Sequence, residues 1–395
     1  MICRLCGGHA FAAVCDLGPM PLVNNLLHHP ADACQRWPLV VCRCTGCGLV
    51  QLTESVPPPL MFDDYCYFSS QSATMVEHAR GLVAAAVAPG DAVVEIASND
   101  GYLLRSAIER GARVLGVDPA RNVAAEAERR GVPTLCAYFD AATAASIRRD
   151  FGAADVLFAC NVLAHVPDPH AIAAGIKTLL APEGRAHVEV PSLERMIETV
   201  AFDTIYHEHQ CYFALAPLRR LFAHHDLRIV AVRAVPVHGG SLHVEVAHDG
   251  DESAAEAWCR REAAAGLEDD PFYRSFATRI DDLRDVVRGA VADAGSVGAY
   301  GAAAKGVVLL NAFDLRGDAV AWVADVSPHK QGRFIPGTGQ PVVAPDHLRT
   351  ASPAACLLLA WNLESEVRRQ EAAYLAAGGS LLIPRPDRLR TPVAG

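Results

Sequence analysis

The sequence predicts an α/β protein in three parts. A small cysteine-rich domain spans residues 1–70, a doubly wound domain spans 71–250, and a helical connector plus a second α/β unit spans 251–395. Three observations carry this reading. Cys3, Cys6, Cys15, Cys34, Cys42, Cys44 and Cys47 crowd the amino-terminal end. From about residue 76, apolar strand-like runs alternate with helical patterns, the signature of a mainly parallel sheet. The alternation resumes near residue 297 after a long charged stretch. At 395 residues the chain also exceeds the size at which one hydrophobic core stops growing.

The elements follow in order. "VPPPLMFDDYCYFSS" reads as a rigid, extended exit from the first domain. "MVEHARGLVAAAVAPG" has helical periodicity closed by Pro89-Gly90. "DAVVEIASNDG" is a strand running into a turn, and "YLLRSAIERGA" a helix ended by Gly111. Strands in "RVLGVDPA", "VPTLCAYF", "ADVLFACNVLAHV" and "RAHVEVPS" alternate with helices between them. "IVAVRAVPVHGGSLHVEVAHD" predicts two strands around a Gly239-Gly240 turn, and residues 251–294 a charged helical connector.

Composition limits the function. Hydrophobic residues at 51% and charged residues at 20% describe a globular chain. A formal net charge of −10, without a local basic patch, argues against a nucleic-acid partner. "MICRLCGG" lacks the basic and apolar regions of a signal peptide, and no apolar run is long enough to span a membrane. The expectation is a cytoplasmic protein without a membrane partner, with a monomer favoured and an oligomer not excluded. Thirteen cysteines in that compartment read as metal ligands and buried thiols rather than disulfides.

Cys3 with Cys6 and Cys44 with Cys47 form two C-x2-C pairs, enough thiolates for one tetrahedral zinc. A closed shell of four cysteines leaves no open position, so the zinc is expected to be structural. Cys42 lies close enough in sequence to compete with Cys44.

"VVEIASNDG" ends a strand where a doubly wound fold binds its nucleotide. The loop is glycine-poor, keeping only Gly101, and Glu95 and Asp100 have the wrong sign for a dinucleotide pyrophosphate. An acidic strand end suits a cationic, phosphate-free ligand such as S-adenosylmethionine. Asp118, ending the next strand in "LGVDPA", suits the ribose hydroxyls. The candidate cofactor residues are Glu95, Ala97, Asn99, Gly101, Asp118, Pro119 and Asn161.

With these motifs in place, the chain resembles the sugar C-methyltransferases that act on dTDP-4-keto deoxysugars in antibiotic biosynthesis. The motifs "CRLCG", "CTGCGLVQL", "EIASNDG", "NVLAHVPD", "IYHEHQCYF", "HGGSL", "YGAAAKG" and "KQGRFIPGT" occur in the family's order over almost the whole length. The resemblance implies a zinc-binding head, a central S-adenosylmethionine-dependent methyltransferase fold and a carboxyl-terminal Rossmann-like domain. It implies methylation beside the keto group of a dTDP-linked 4-keto deoxysugar, carbon 3 favoured and carbon 5 possible. Two positions depart from the family pattern and bear on the acceptor: His243 replaces a basic residue after "HGGSL", and "PGTGQPV" stands where "PGTHIP" is common.

"DTIYHEHQCYF" then has a chemical reading. Carbon methylation beside a ketone takes a base with a pKa near 7, a donor for the enolate oxygen and a group that orients the base. The resemblance implies that His209 is the base, with Tyr206 and Glu208 beside it; histidine has the fitting unperturbed pKa. In an extended segment His207 and His209 would share a face with Tyr206 and Glu208 opposite, so a turn is required for them to act together. His207 is read as a structural or surface residue. His165 in "NVLAHVPD" resembles a family active-site position, and Tyr65 and Tyr67 are expected to fold over cofactor or sugar.

In the last domain "GAYGAAAKG" follows a strand and opens a helix, so backbone N–H groups and Lys305 would receive a pyrophosphate. Tyr300, Lys305, Lys330 and Arg333 are the candidate sugar-nucleotide contacts. Two rival readings remain at this stage: an NAD-dependent sugar-nucleotide oxidoreductase using this domain, and a zinc-ribbon protein that modifies nucleic acid.

Overall fold

A computed structural model describes residues 1–62 and 65–389. The chain divides into two compact units. The first comprises residues 1–13, 42–195 and 208–270, the second 14–41, 196–207 and 271–395. The strands Phe11–Pro21 and Arg36–Cys44 carry the chain from one unit to the other.

The first unit is built on a seven-stranded sheet. Its spatial order is Arg228–Val235, Ser241–Ala247, Leu180–Pro191, Ala154–Cys160, Ala92–Ile96, Arg113–Val117 and Thr134–Leu135. The strands from Leu180–Pro191 to Thr134–Leu135 pair in parallel, and the other two close the sheet antiparallel. All five residues of Ala92–Ile96 are buried. That fits its near-continuous apolar sequence, since strands covered on both faces lose the alternation of a half-exposed strand.

Helix Ala73–Ala86 starts where the Ser72 side chain accepts from the Met75 N–H, and it buries Met75, Ala79, Leu82 and Val83 along one stripe. The expected hairpin is present, with Val235 opposite Ser241. At its turn Gly240 has φ +120°, and an added Cβ would lie 3.1 Å from Arg195 Cβ. A side chain there meets both backbone strain and a fixed neighbour.

The second unit holds a five-stranded parallel sheet in the order Val342–Val343, Val323–Ala324, Val297–Tyr300, Ala355–Leu358, Ser380–Leu382. The helical connector differs from its expectation. It is two helices, Ser253–Ala264 and Asp270–Ala294. The second buries Tyr273, Phe276, Ile280, Leu283, Val287 and Val291. This helix is therefore part of a core, because its charges occupy only the outward face of an amphipathic stripe.

Candidate active site

The paired cysteines converge. The four Sγ atoms of Cys3, Cys6, Cys44 and Cys47 lie within 4.8 Å of one another, with Cys3 Sγ 3.4 Å from Cys47 Sγ and Cys6 Sγ 3.6 Å from Cys44 Sγ. Tetrahedral zinc with Zn–S bonds of about 2.3 Å sets sulfur atoms roughly 3.8 Å apart, so this cage fits one zinc. Each pair is followed by a glycine of positive φ, Gly7 at +70° and Gly48 at +79°, which turns the chain back after the second thiolate. Cys42 is outside the cage, its Sγ facing Gln51 O at 3.6 Å. Burial pushes its thiol up to about 11.

The loop after strand Ala92–Ile96 is a tight left-handed path: Ala97, Asn99 and Gly101 have φ of +56°, +49° and +75°. An added Cβ at Gly101 would meet Val132 Cγ2 at 2.8 Å. Asp118 accepts from the Asn99 N–H and the Ala120 N–H, each at 2.9 Å. Asn99 in turn accepts from the Ser69 N–H at 2.9 Å and donates to Tyr67 O at 3.1 Å. Asp100 receives Ser70 and the Arg130 guanidinium. These bonds lay residues 67–70 over the loop.

Glu95 is 1% exposed, and neither carboxylate oxygen has a hydrogen-bond partner among the described residues. Burial, with Asp118 and Asp100 nearby, raises its pKa well above the ordinary carboxylate range. A buried acid that lacks a partner is costly unless a donor or cation arrives. The sulfonium- and ammonium-bearing S-adenosylmethionine supplies such charge, so the residues present fit that cofactor. Asn161 at the end of the adjacent strand has φ +56°, and its Oδ1 is buried with no hydrogen-bond partner among the described residues.

The histidines meet on the same unit as this cradle. Gln210 N donates to Ala164 O at 2.7 Å and Cys211 N to the same oxygen at 3.2 Å. This backbone clasp sets the His165 and His209 rings 4.7 Å apart, edge to face at 89°. Loss of surrounding water pushes His165 down to about 4. The Tyr65 hydroxyl donates to Glu208 Oε2 at 3.0 Å, and the Tyr65 and Tyr67 rings lie 6.4 Å apart. The required turn exists at residues 207–208. It separates Tyr206 and His207, which belong to the second unit, from Glu208 and His209 in the first. His207 Nε2 faces Trp37 O and Pro38 O at 3.3 Å each, the geometry of an anchored structural histidine.

Sequence reasoning missed Arg4 and Gln210. Arg4, inside the first cysteine pair, donates to Leu52 O at 2.7 Å, Ser55 Oγ at 2.8 Å and Gln210 Oε1 at 3.1 Å. Strand Val50–Leu52 pairs with Cys211–Tyr212, Gln51 opposite Cys211. The metal-bearing head thus grips the residues that follow His209. The only hint in the sequence was a basic residue between two ligands.

In the second unit the four sugar-nucleotide candidates are largely internal. Tyr300 is 3% exposed, and its hydroxyl faces Gln370 Oε1 at 3.3 Å and Glu371 Oε1 at 3.2 Å. Lys305 sits 4.5 Å from the Trp361 ring centroid, and burial lowers it to about 8. Trp361 Nε1 donates to Asp203 Oδ2 at 2.6 Å, while burial raises Asp203 to about 6. Lys330 Nζ donates to Ala302 O at 2.9 Å, and Arg333 lies 2.7 Å from the His28 ring. The glycines of "GAYGAAAKG" serve packing: an added Cβ at Gly298 would strike the Trp322 ring at 2.3 Å.

Comparison with known proteins finds three family models along the chain. A family described as a C-methyltransferase C-terminal domain matches residues 236–386, a methyltransferase domain matches 75–232, and a zinc binding domain matches 3–62. C-methyltransferase NovU of Streptomyces niveus is 38% identical, over 98% of this chain and 95% of the relative. The chain belongs to this C-methyltransferase family.

Ubiquinone biosynthesis O-methyltransferase of Burkholderia pseudomallei (strain 1710b) is 27% identical over 44% of this chain and 80% of its own. The crystal structure of magnesium protoporphyrin IX methyltransferase from Synechocystis PCC 6803 with bound SAM is 16% identical, with a TM-score of 0.35, covering 45% of this chain and 79% of that one. The chain is an S-adenosylmethionine-dependent C-methyltransferase with a structural zinc, and the oxidoreductase reading gives way to it. Among the described residues no helix is long and apolar enough to cross a membrane.

Proposed function

We propose that this C-methyltransferase methylates the carbon beside the keto group of a dTDP-linked 4-keto deoxysugar, carbon 3 in preference to carbon 5. The observation that carries the reading is the His165–His209 pair, 4.7 Å ring to ring, with the Tyr65–Glu208 bond on the same unit as the cofactor cradle. A positioned base meets the need of enolate methylation, in which the carbon loses a proton before it can attack, and the C-methyltransferase relatives favour carbon over oxygen as the acceptor.

S-adenosylmethionine, when bound, supplies an electrophilic methyl on a cationic sulfur. Glu95, Asn99, Asp118 and Asn161 would hold it, with Ala97, Gly101 and Pro119 shaping the backbone around it. His209 takes the α-proton, leaving the bonding pair as an enolate whose charge rests on the keto oxygen. Tyr206 is the candidate donor to that oxygen. The Tyr65 hydroxyl proton is committed to Glu208, so Tyr65 serves to fix Glu208 and through it the turn. The enolate carbon would receive the methyl that bound S-adenosylmethionine supplies, and the His209 imidazolium then returns its proton to solvent. His165, neutral at pH 7 because burial holds it near 4, packs its edge against His209 and keeps that ring in place.

The second unit is the candidate sugar-nucleotide carrier, through Lys305, Lys330 and Arg333 more than the sealed Tyr300. Offering a panel of dTDP-4-keto sugars and locating the added methyl by NMR tests the acceptor. A single methyl on the carbon next to the ketone is the expected product. Methyl on oxygen or nitrogen, or no turnover with any member, would end the proposal.

A further inference from the structure

A second histidine cluster lies away from the proposed active site, behind the zinc-binding head. The ring nitrogens of His170, His224 and His225 lie within 4.8 Å of one another. The His170 ring is 4.8 Å from that of His224 and 5.1 Å from that of His225, and the latter two are 5.1 Å apart. Three rings therefore make a nearly equilateral triangle, each offering one nitrogen to a shared space.

Two features make this more than a surface crowd. His170 Nε2 lies 2.8 Å from Leu5 O. A carbonyl only accepts, so Nε2 carries the hydrogen, and in the neutral ring Nδ1 holds the lone pair. That lone pair accepts the His225 Nε2–H at 2.9 Å, a hydrogen bond that an ion would replace once His225 carries its proton on Nδ1. A metal-binding histidine is ordinarily fixed in this way, its remote N–H given to a carbonyl or carboxylate and its other nitrogen left for the ion.

The elements bearing the rings are also held by the two cysteine turns. Leu5 lies between Cys3 and Cys6, and Arg220, one turn before His224, donates to Gly46 O between Cys44 and Cys47 at 3.0 Å. Each turn of the zinc cage thus positions part of the triangle. Asp168, whose Oδ1 accepts from the His170 N–H at 3.0 Å, adds negative charge next to the cluster.

We infer that His170, His224 and His225 form a second metal site, for a first-row divalent cation of the zinc, cobalt or nickel type. Imidazole nitrogen suits such ions, and three protein ligands leave a fourth position for water. Metal–nitrogen bonds of about 2.0–2.1 Å set tetrahedral ligands roughly 3.3 Å apart, so the His170–His225 pair opens by only a few tenths of an ångström. His224 is exposed, which gives the ion its entry. The cage fills first, because the Leu5 carbonyl that sets the His170 tautomer belongs to it.

Cobalt titration of the full-length protein carrying its cysteine-bound zinc tests the inference. The expected result is one further equivalent, with visible d–d absorption and no thiolate-to-cobalt charge-transfer band. Exchanging two ligands, in His224→Ala/His225→Ala, should weaken that equivalent by more than the roughly 10–100-fold typical of a lost supporting contact. The zinc in the cage and methyl transfer should both persist. Absence of a further equivalent in the wild type, the same affinity in the double variant, or a thiolate band would each overturn it. Should the double variant fail to fold, His170→Phe in a fresh preparation is read by the same spectrum.

Discussion

Arg4 donates to Gln210 through the side-chain oxygen at 3.1 Å and the backbone oxygen at 3.4 Å. Arg4 lies between two zinc ligands and Gln210 directly follows His209. The structural metal is therefore connected to the candidate base by one side chain. Arg4→Gln should cost about 1.5–3 kcal/mol of stability, the worth of hydrogen bonds to a charged group. It should lower kcat by up to about 10²-fold, the cost of a small misplacement of reacting groups. Calorimetric affinity for S-adenosylmethionine should not change. A variant with wild-type kcat would make the contact purely structural.

Metal analysis should give about one tightly held zinc per chain, with any second equivalent removable by mild chelation. Cys44 and Cys47 are buried at 1% and 6% exposure, so Cys47→Ser should reduce soluble yield before it affects chemistry. Soluble, active protein without zinc would contradict the structural role.

Asp118→Ala should weaken S-adenosylmethionine binding by about 1–3 kcal/mol, the cost of leaving hydrogen bonds to a charged group unmade. The same carboxylate secures the Asn99 and Ala120 N–H groups, so the melting temperature should fall as well. Isothermal calorimetry separates the two effects. Unchanged affinity would move the ribose contact elsewhere.

Acid sensitivity follows from two buried histidines. Burial lowers both His165 and His187 to about 4, whereas an unfolded histidine titrates near 6.5. Between those values the unfolded chain binds protons that the folded chain does not, so stability is full above about pH 6.5 and declines as pH falls toward 4. The slope should reach about 1–3 kcal/mol per pH unit. Although burial pushes Glu189 up, hydrogen bonds from His243 and His78 hold it down to about 2. It therefore adds a further loss below roughly pH 4.5. Urea midpoints between pH 4.5 and 7.5 measure the first phase, and His187→Gln should make it shallower. A midpoint independent of pH over that range would refute the assignment.

Much of this was legible in local sequence. The cysteine spacing, the acidic strand end at Glu95 and the Gly239-Gly240 turn each act over a few residues, and each is found as expected. Long-range relationships were not legible. Arg4 meets Gln210 across 206 positions, and no local pattern announces it. The stripe from Tyr273 to Val291 was hidden among charges on the outward face of its helix. "GAYGAAAKG" read as a phosphate loop, yet Gly298 is explained by the Trp322 ring against it. Small residues admit a neighbouring side chain as readily as a ligand.

The central claim is that His209 removes the proton that precedes methyl transfer. The direct measurement is exchange of the substrate's α-proton with solvent deuterium while S-adenosylhomocysteine occupies the cofactor site, because enolisation needs no methyl group. Wild-type protein should exchange that proton, and His209→Gln should reduce both exchange and methylation by about 10²–10⁴-fold, the usual worth of a positioned general base. Exchange at the wild-type rate in His209→Gln would contradict the account and pass the role to His165, the ring 4.7 Å away.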